Sequence, residues 1–185
     1  MIVIEGTDCV GKTTLARKLV ERLNFFSDGK LGENWFYAHL SSPSDGWDYY
    51  WDYVRLMQQN IILDRFYMSE LAYRTVKEDT TPRINPDHIP FLEAGLLMMG
   101  AVTVVLVGDH TEITARYSEK PEMFKLDKVL AVNEWFRWST MGHSKHLIHA
   151  AMPNSLYPDD AFINTIIEAV YQQRQVVYEL NKRMR

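Results

Sequence analysis

Near the start of the chain, Gly6-Thr7-Asp8-Cys9-Val10-Gly11-Lys12-Thr13 matches the pattern G-x-x-x-x-G-K-[ST]. Two glycines at that spacing let the backbone curl until successive N–H groups point inward and cradle phosphate oxygens. A helix opening at the end of the loop adds the positive end of its dipole. In that arrangement Gly6, Asp8, Cys9, Val10, Gly11, Lys12, Thr13 and Thr14 would hold the phosphates of ATP. The Lys12 ammonium would reach the β- and γ-phosphates, and the Thr13 hydroxyl would ligate Mg²⁺. Farther along, Asp64-Arg65 sets a carboxylate beside a guanidinium at the end of an apolar run. Asp64 could hold a Mg²⁺-bound water or accept the proton of an attacking hydroxyl, and Asp8 could orient an acceptor sugar or act as base. Arg65 offers a planar fork for phosphate oxygens.

Such chemistry needs a strand before Gly6 and a helix from Lys12. Ile2 to Glu5 reads as that strand, and Lys12 to Leu23 as the helix, with Leu15, Leu19, Val20 and Leu23 on one face. Trp35 to Leu40, Asn60 to Asp64, Ala101 to Val107 and His146 to Ala150 are the further strand expectations. Between and after them, helices are expected over Trp47 to Gln59, Met68 to Glu78, Pro86 to Met99, Glu112 to Glu119, Leu126 to Met141 and Asp159 to Arg183, the last capped by Asp159 or Asp160. Five strands alternating with helices imply an α/β fold of three layers, a five-stranded parallel sheet with helices on both faces. No repeat or interdomain linker interrupts residues 1–185, which read as one domain.

The 185 residues carry 20 Lys and Arg, 24 Asp and Glu and one Cys, so a disulfide framework is excluded and a reducing cytoplasm is expected. No apolar run reaches the roughly 20 residues of a membrane span. A formal charge of -4 argues against a general polyanion coat, without bearing on a local cationic cleft. A guanine-reading N-K-x-D segment is missing, the one Asn-Lys pair being Asn181-Lys182, which argues against a GTPase switch. Motor ATPases generally need a larger body, so size favours a small-molecule kinase.

The stretch Asp64-Arg65-Phe66-Tyr67-Met68-Ser69-Glu70-Leu71-Ala72-Tyr73 resembles the D-R-[aromatic]-x-x-S-x-x-A-Y segment of thymidylate kinases, and Ile4-Glu5-Gly6-Thr7-Asp8 is similar to that family's opening. The resemblance implies a P-loop kinase fold and transfer of the γ-phosphoryl group of ATP to a pyrimidine deoxynucleotide. Lys12, Asp8, Asp64, Arg65 and Arg116 are then the catalytic set, and Thr13 and Asp64 the Mg²⁺ side. Asp8, Arg65, Phe66, Ser69 and Tyr73 become acceptor contacts, Tyr73 packing under the sugar. Homodimers are common among such kinases, and a phage member would work in its host's cytoplasm. One departure matters. The family's R-E-P-G arginine, which clamps the acceptor's phosphate, is replaced by His39-Leu40-Ser41-Ser42-Pro43-Ser44-Asp45-Gly46, with no arginine between Arg22 and Arg55. Either Arg65 or Arg55 takes that role, or the acceptor is a deoxynucleoside or a 5-hydroxymethylpyrimidine in phage DNA. A third alternative is an ATP-binding interaction module that is no kinase.

A short lid is expected around 116–127, with Arg116 on the donor phosphate and Lys120 as second choice. Ten aromatic residues fall between Phe25 and Tyr53, beside Asp28, Glu33, Asp45, Asp48 and Asp52. Their faces could stack on a base, but most are expected in packing. His143, His146 and His149 recur every third residue. A strand would set His146 and His149 on opposite faces, against a shared metal.

Overall fold

A computed structural model describes residues 1–27, 34–40, 50–57, 60–77, 84–119, 124–139, 147–151 and 158–184. The chain runs β1 (Ile2–Gly6), α1 (Lys12–Ser27), β2 (Phe36–His39), α2 (Tyr50–Leu56), β3 (Ile61–Asp64), α3 (Tyr67–Lys77), α4 (Ile89–Met98), β4 (Val102–Val107), α5 (His110–Glu119), α6 (Leu126–Ser139), β5 (Leu147–Ala151) and α7 (Asp160–Arg183). A 3-10 turn, Pro86–His88, leads into α4. That turn replaces the first part of the helix expected from Pro86. Asn85 caps it through its side chain, and Pro90 occupies the opening turn of α4, where a missing N–H costs nothing.

The five strands lie in the order β2-β3-β1-β4-β5, every neighbouring pair parallel. Parallel strands buried on both faces should be apolar throughout, and β1, β3 and β4 are buried at every position. Alternation then divides the core in two. Ile2, Ile4, Ile62, Val102, Val104 and Leu106 face Leu15, Leu19 and Leu23 of α1 and Ile163, Ile166, Ile167 and Val170 of α7. Met1, Val3, Leu63, Val105 and Val107 face α2, α3, α4 and α6 through Tyr53, Met68, Ala72, Leu92, Leu96, Val132 and Phe136. Each fully buried Ile or Leu contributes roughly 2 kcal/mol of apolar transfer. The α7 contacts recur at i, i+3, i+4 and i+7, and the helix starts where the Asp159 carboxylate accepts from the Phe162 N–H at 2.7 Å.

Among the described residues, the aromatic cluster does not form one surface. Trp35 enters the core under α1 and α7, with the Arg174 guanidinium 4.9 Å from its ring centre, and Tyr53 enters the opposite core against Phe66. Phe25, Phe36 and Trp51 are exposed. Trp47 and Tyr49 lie outside the described residues, as do His143, His146 and Lys120. No helix of the described residues is long and apolar enough to cross a membrane.

Candidate active site

The carboxyl ends of β1, β2, β3 and β4 bring the sequence motifs together, where open α/β sheets bind ligands. Between β1 and α1 the phosphate loop has positive φ at Gly6 (142°), Cys9 (66°) and Gly11 (85°). Gly6 admits no side chain, since a Cβ would stand 2.4 Å from the Leu106 carbonyl oxygen of β4. Cys9 and Arg65 (φ 80°) hold the left-handed region without being glycine, a conformation that costs about 1–3 kcal/mol and concentrates at functional sites. The loop is braced from outside. Thr7 donates its hydroxyl to the Val129 carbonyl of α6 at 2.8 Å, and Arg116 of α5 donates to the Cys9 carbonyl at 3.0 Å.

Lys12 opens α1 and is buried, its ammonium donating to the Thr7 carbonyl at 2.6 Å. Burial first, and then the Arg65 charge, lower its pKa, against the opposing pull of Asp64, Asp8 and Glu5. One residue on, the Thr13 hydroxyl donates to Asp64 Oδ2 at 2.8 Å. Tyr37 donates its phenol to the same oxygen at 3.2 Å, and His39 Nδ1 lies 3.3 Å from it. Asp64 Oδ1, also buried, has no hydrogen-bond partner among the described residues. A free carboxylate oxygen beside a hydroxyl and a phosphate cradle is the hard oxygen donor set that suits Mg²⁺, so these residues fit that ion.

Asp8 and Arg65 form an ion pair, and the Arg65 guanidinium sits 4.9 Å from the Tyr73 ring centre. Burial works against the Arg65 charge, yet Tyr73 and the carboxylates of Asp8, Asp64 and Glu5 together raise its pKa. Burial is also the main reason the Tyr73 phenol is pushed above its ordinary value. Arg65 Nε is buried and without a hydrogen-bond partner among the described residues, and the buried Tyr73 hydroxyl lies close to Asp8 and Thr7. Arg65 Nε therefore retains polar capacity toward a ligand. Arg55, the other arginine weighed for an acceptor phosphate, is 81% exposed and 3.9 Å from Asp52 of its own helix.

Two expected acceptor contacts are placed differently. Ser69 is buried and donates its hydroxyl to Glu5, and Phe66 is 1% exposed and packed between Tyr53 and Tyr67. Glu5 itself went unread as a functional group: fully buried at the end of β1, it accepts from Met68 N (3.1 Å) and Ser69 N (3.2 Å) at the start of α3. Burial pushes its pKa up to about 7, opposed by the Ser69 hydroxyl. Its signal was a lone acid in an apolar strand, which demands a partner. The lid expected around 116–127 is described only at its two ends. Arg116 to Glu119 form the end of α5 and Leu126 the start of α6, while 120–123 lie outside the described residues. Among the described residues no three His, Cys, Asp or Glu side chains gather as a metal cluster.

No family profile and no curated protein sequence matches the chain. Solved structures do match in fold. The YorR protein of Bacillus subtilis, solved in complex with phosphorylated GDP, is 21% identical with a TM-score of 0.72, over 94% of this chain and 97% of that one. A gluconokinase from Sinorhizobium meliloti (13% identity, TM-score 0.55) aligns over 100% of this chain and 97% of its own. A deoxyadenosine kinase from M. mycoides with bound dCTP (14%, TM-score 0.54) aligns over 93% and 100%. The chain thus shares its α/β fold with that YorR protein, that gluconokinase and that deoxyadenosine kinase.

Proposed function

We propose that the chain is an ATP- and Mg²⁺-dependent phosphotransferase that moves the γ-phosphoryl group of ATP to a pyrimidine deoxynucleotide. One observation carries this reading. A strained phosphate loop with buried Lys12 is joined by the Thr13–Asp64 hydrogen bond and by the Asp8–Arg65 ion pair beside Tyr73. Phosphoryl transfer needs little covalent chemistry from the protein, so positioning and charge do most of the catalysis. Lys12 uses one N–H on Thr7 and retains two for phosphate oxygens. Thr13 and Asp64 would hold Mg²⁺, whose charge would offset that developing on the phosphates. Arg116, bound to the loop backbone, adds positive charge from α5. On the acceptor side Asp8 would take the hydroxyl proton or orient the sugar, Arg65 would hold acceptor oxygens and Tyr73 would pack against the sugar.

A second reading, a deoxynucleoside or a 5-hydroxymethylpyrimidine in DNA as acceptor, draws on the Asp8–Arg65 ion pair. An arginine already neutralised by a carboxylate is a weaker clamp for a free monophosphate. Either acceptor requires the same loop. Lys12→Ala is expected to lower transfer from γ-labelled ATP by on the order of a hundredfold or more. Full transfer by that variant contradicts the reading.

A further inference from the structure

Asp64 is held in an asymmetric way. Three groups crowd Oδ2, from Thr13 at 2.8 Å, Tyr37 at 3.2 Å and His39 at 3.3 Å, while Oδ1 is buried without a partner. A carboxylate on an unconstrained side chain would turn about its last torsion and share such donors between both oxygens. Here the three groups converge from two directions, Thr13 from the first turn of α1 and Tyr37 and His39 from edge strand β2. Parallel pairing sets His39 opposite Asp64, and the strand end is closed by the Leu40 N–H donating to the Asp64 carbonyl at 3.1 Å. Tyr37, two residues back on β2, projects to the same face of the sheet as His39.

We propose that Tyr37, assisted by His39, is a positioning residue for the cation side of the site, fixing the Asp64 carboxylate so that Oδ1 stays directed to a divalent ion. The proposal rests on the reading of Thr13 and Asp64 as the Mg²⁺ side. Ligating carboxylates generally depend on such hydrogen bonds, and losing one typically costs 10–100-fold in metal affinity.

The test is Mn²⁺ binding to the protein–ADP complex, read from the free-ion signal by electron paramagnetic resonance, for wild type, Tyr37→Phe, His39→Gln and Asp64→Asn. Circular dichroism checks the fold, and ADP affinity without metal checks the loop. Tyr37→Phe is expected to bind Mn²⁺ about tenfold more weakly with metal-free ADP affinity unchanged, and His39→Gln to show a smaller loss. If Asp64→Asn loses Mn²⁺ while Tyr37→Phe and His39→Gln bind like wild type, the positioning role is wrong and the metal side stands. If Asp64→Asn also binds like wild type, the metal side fails and this inference with it. A Tyr37→Phe loss seen equally in metal-free ADP binding overturns the proposal too, since it would mark a general structural role.

Discussion

A buried carboxyl with a pKa near 7 makes Glu5 the residue whose pH behaviour is most exposed to measurement. Its unfolded value is about 4.5, so between pH about 4.5 and about 7 the native protein binds more protons than the unfolded chain. Stability from this group is fully present below that window and is lost as pH rises through the folded value. The loss amounts to about 3 kcal/mol, as one unit corresponds to about 1.4 kcal/mol. Urea unfolding from pH 5 to 8 should show this decline in wild type and a flatter profile in Glu5→Gln. Equal slopes for the two proteins would contradict the role given to Glu5. Spacing exposed the phosphate loop and the Asp64-Arg65 pair, whose chemistry is local in sequence. Glu5, Tyr37 and His39 stayed hidden because their partners, Ser69 and Asp64, are reached only through the packing of separate elements.

At the scale of elements, the strand ends act as a common platform, and α6 holds one end in place. Asn133 accepts from the Gly108 N–H at 2.9 Å and donates to the Gly108 carbonyl at 3.0 Å, clamping the turn after β4, where Arg137 adds a third bond. Asn133→Ala leaves a buried N–H unpaired and should lower unfolding free energy by about 2 kcal/mol, seen as a reduced urea midpoint with unchanged slope. An unshifted midpoint would show that water or a rearranged α6 replaces the clamp. Periodicity made the helices and the apolar strands legible, because α1 and α7 each show one buried stripe and β4 is apolar almost throughout. Strand order was not legible. The pairing of β2 with β3, which carries Tyr37 and His39 to Asp64, is a long-range contact that no local pattern encodes. The Arg116 contact shows the same limit: α5 brings its guanidinium to the Cys9 carbonyl, a meeting of separate elements.

Across the whole molecule, the proposed site mixes both signs of charge rather than presenting one. The proposed donor side has Lys12 and Arg116, the latter 3.8 Å from Glu112, while the proposed acceptor side pairs Arg65 with Asp8. That balance, in a chain of net charge -4, suits a small acceptor bound by a few directed contacts better than a long polyanion held by bulk charge. It also makes acceptor identity the point on which the account turns. The most direct measurement is transfer from γ-labelled ATP to dTMP, dUMP, thymidine and DNA containing 5-hydroxymethyluracil, assayed side by side with Mg²⁺ and a Lys12→Ala control. The account predicts label on a pyrimidine monophosphate, lost in the control. Label released only as inorganic phosphate, at a rate no acceptor changes, would contradict it.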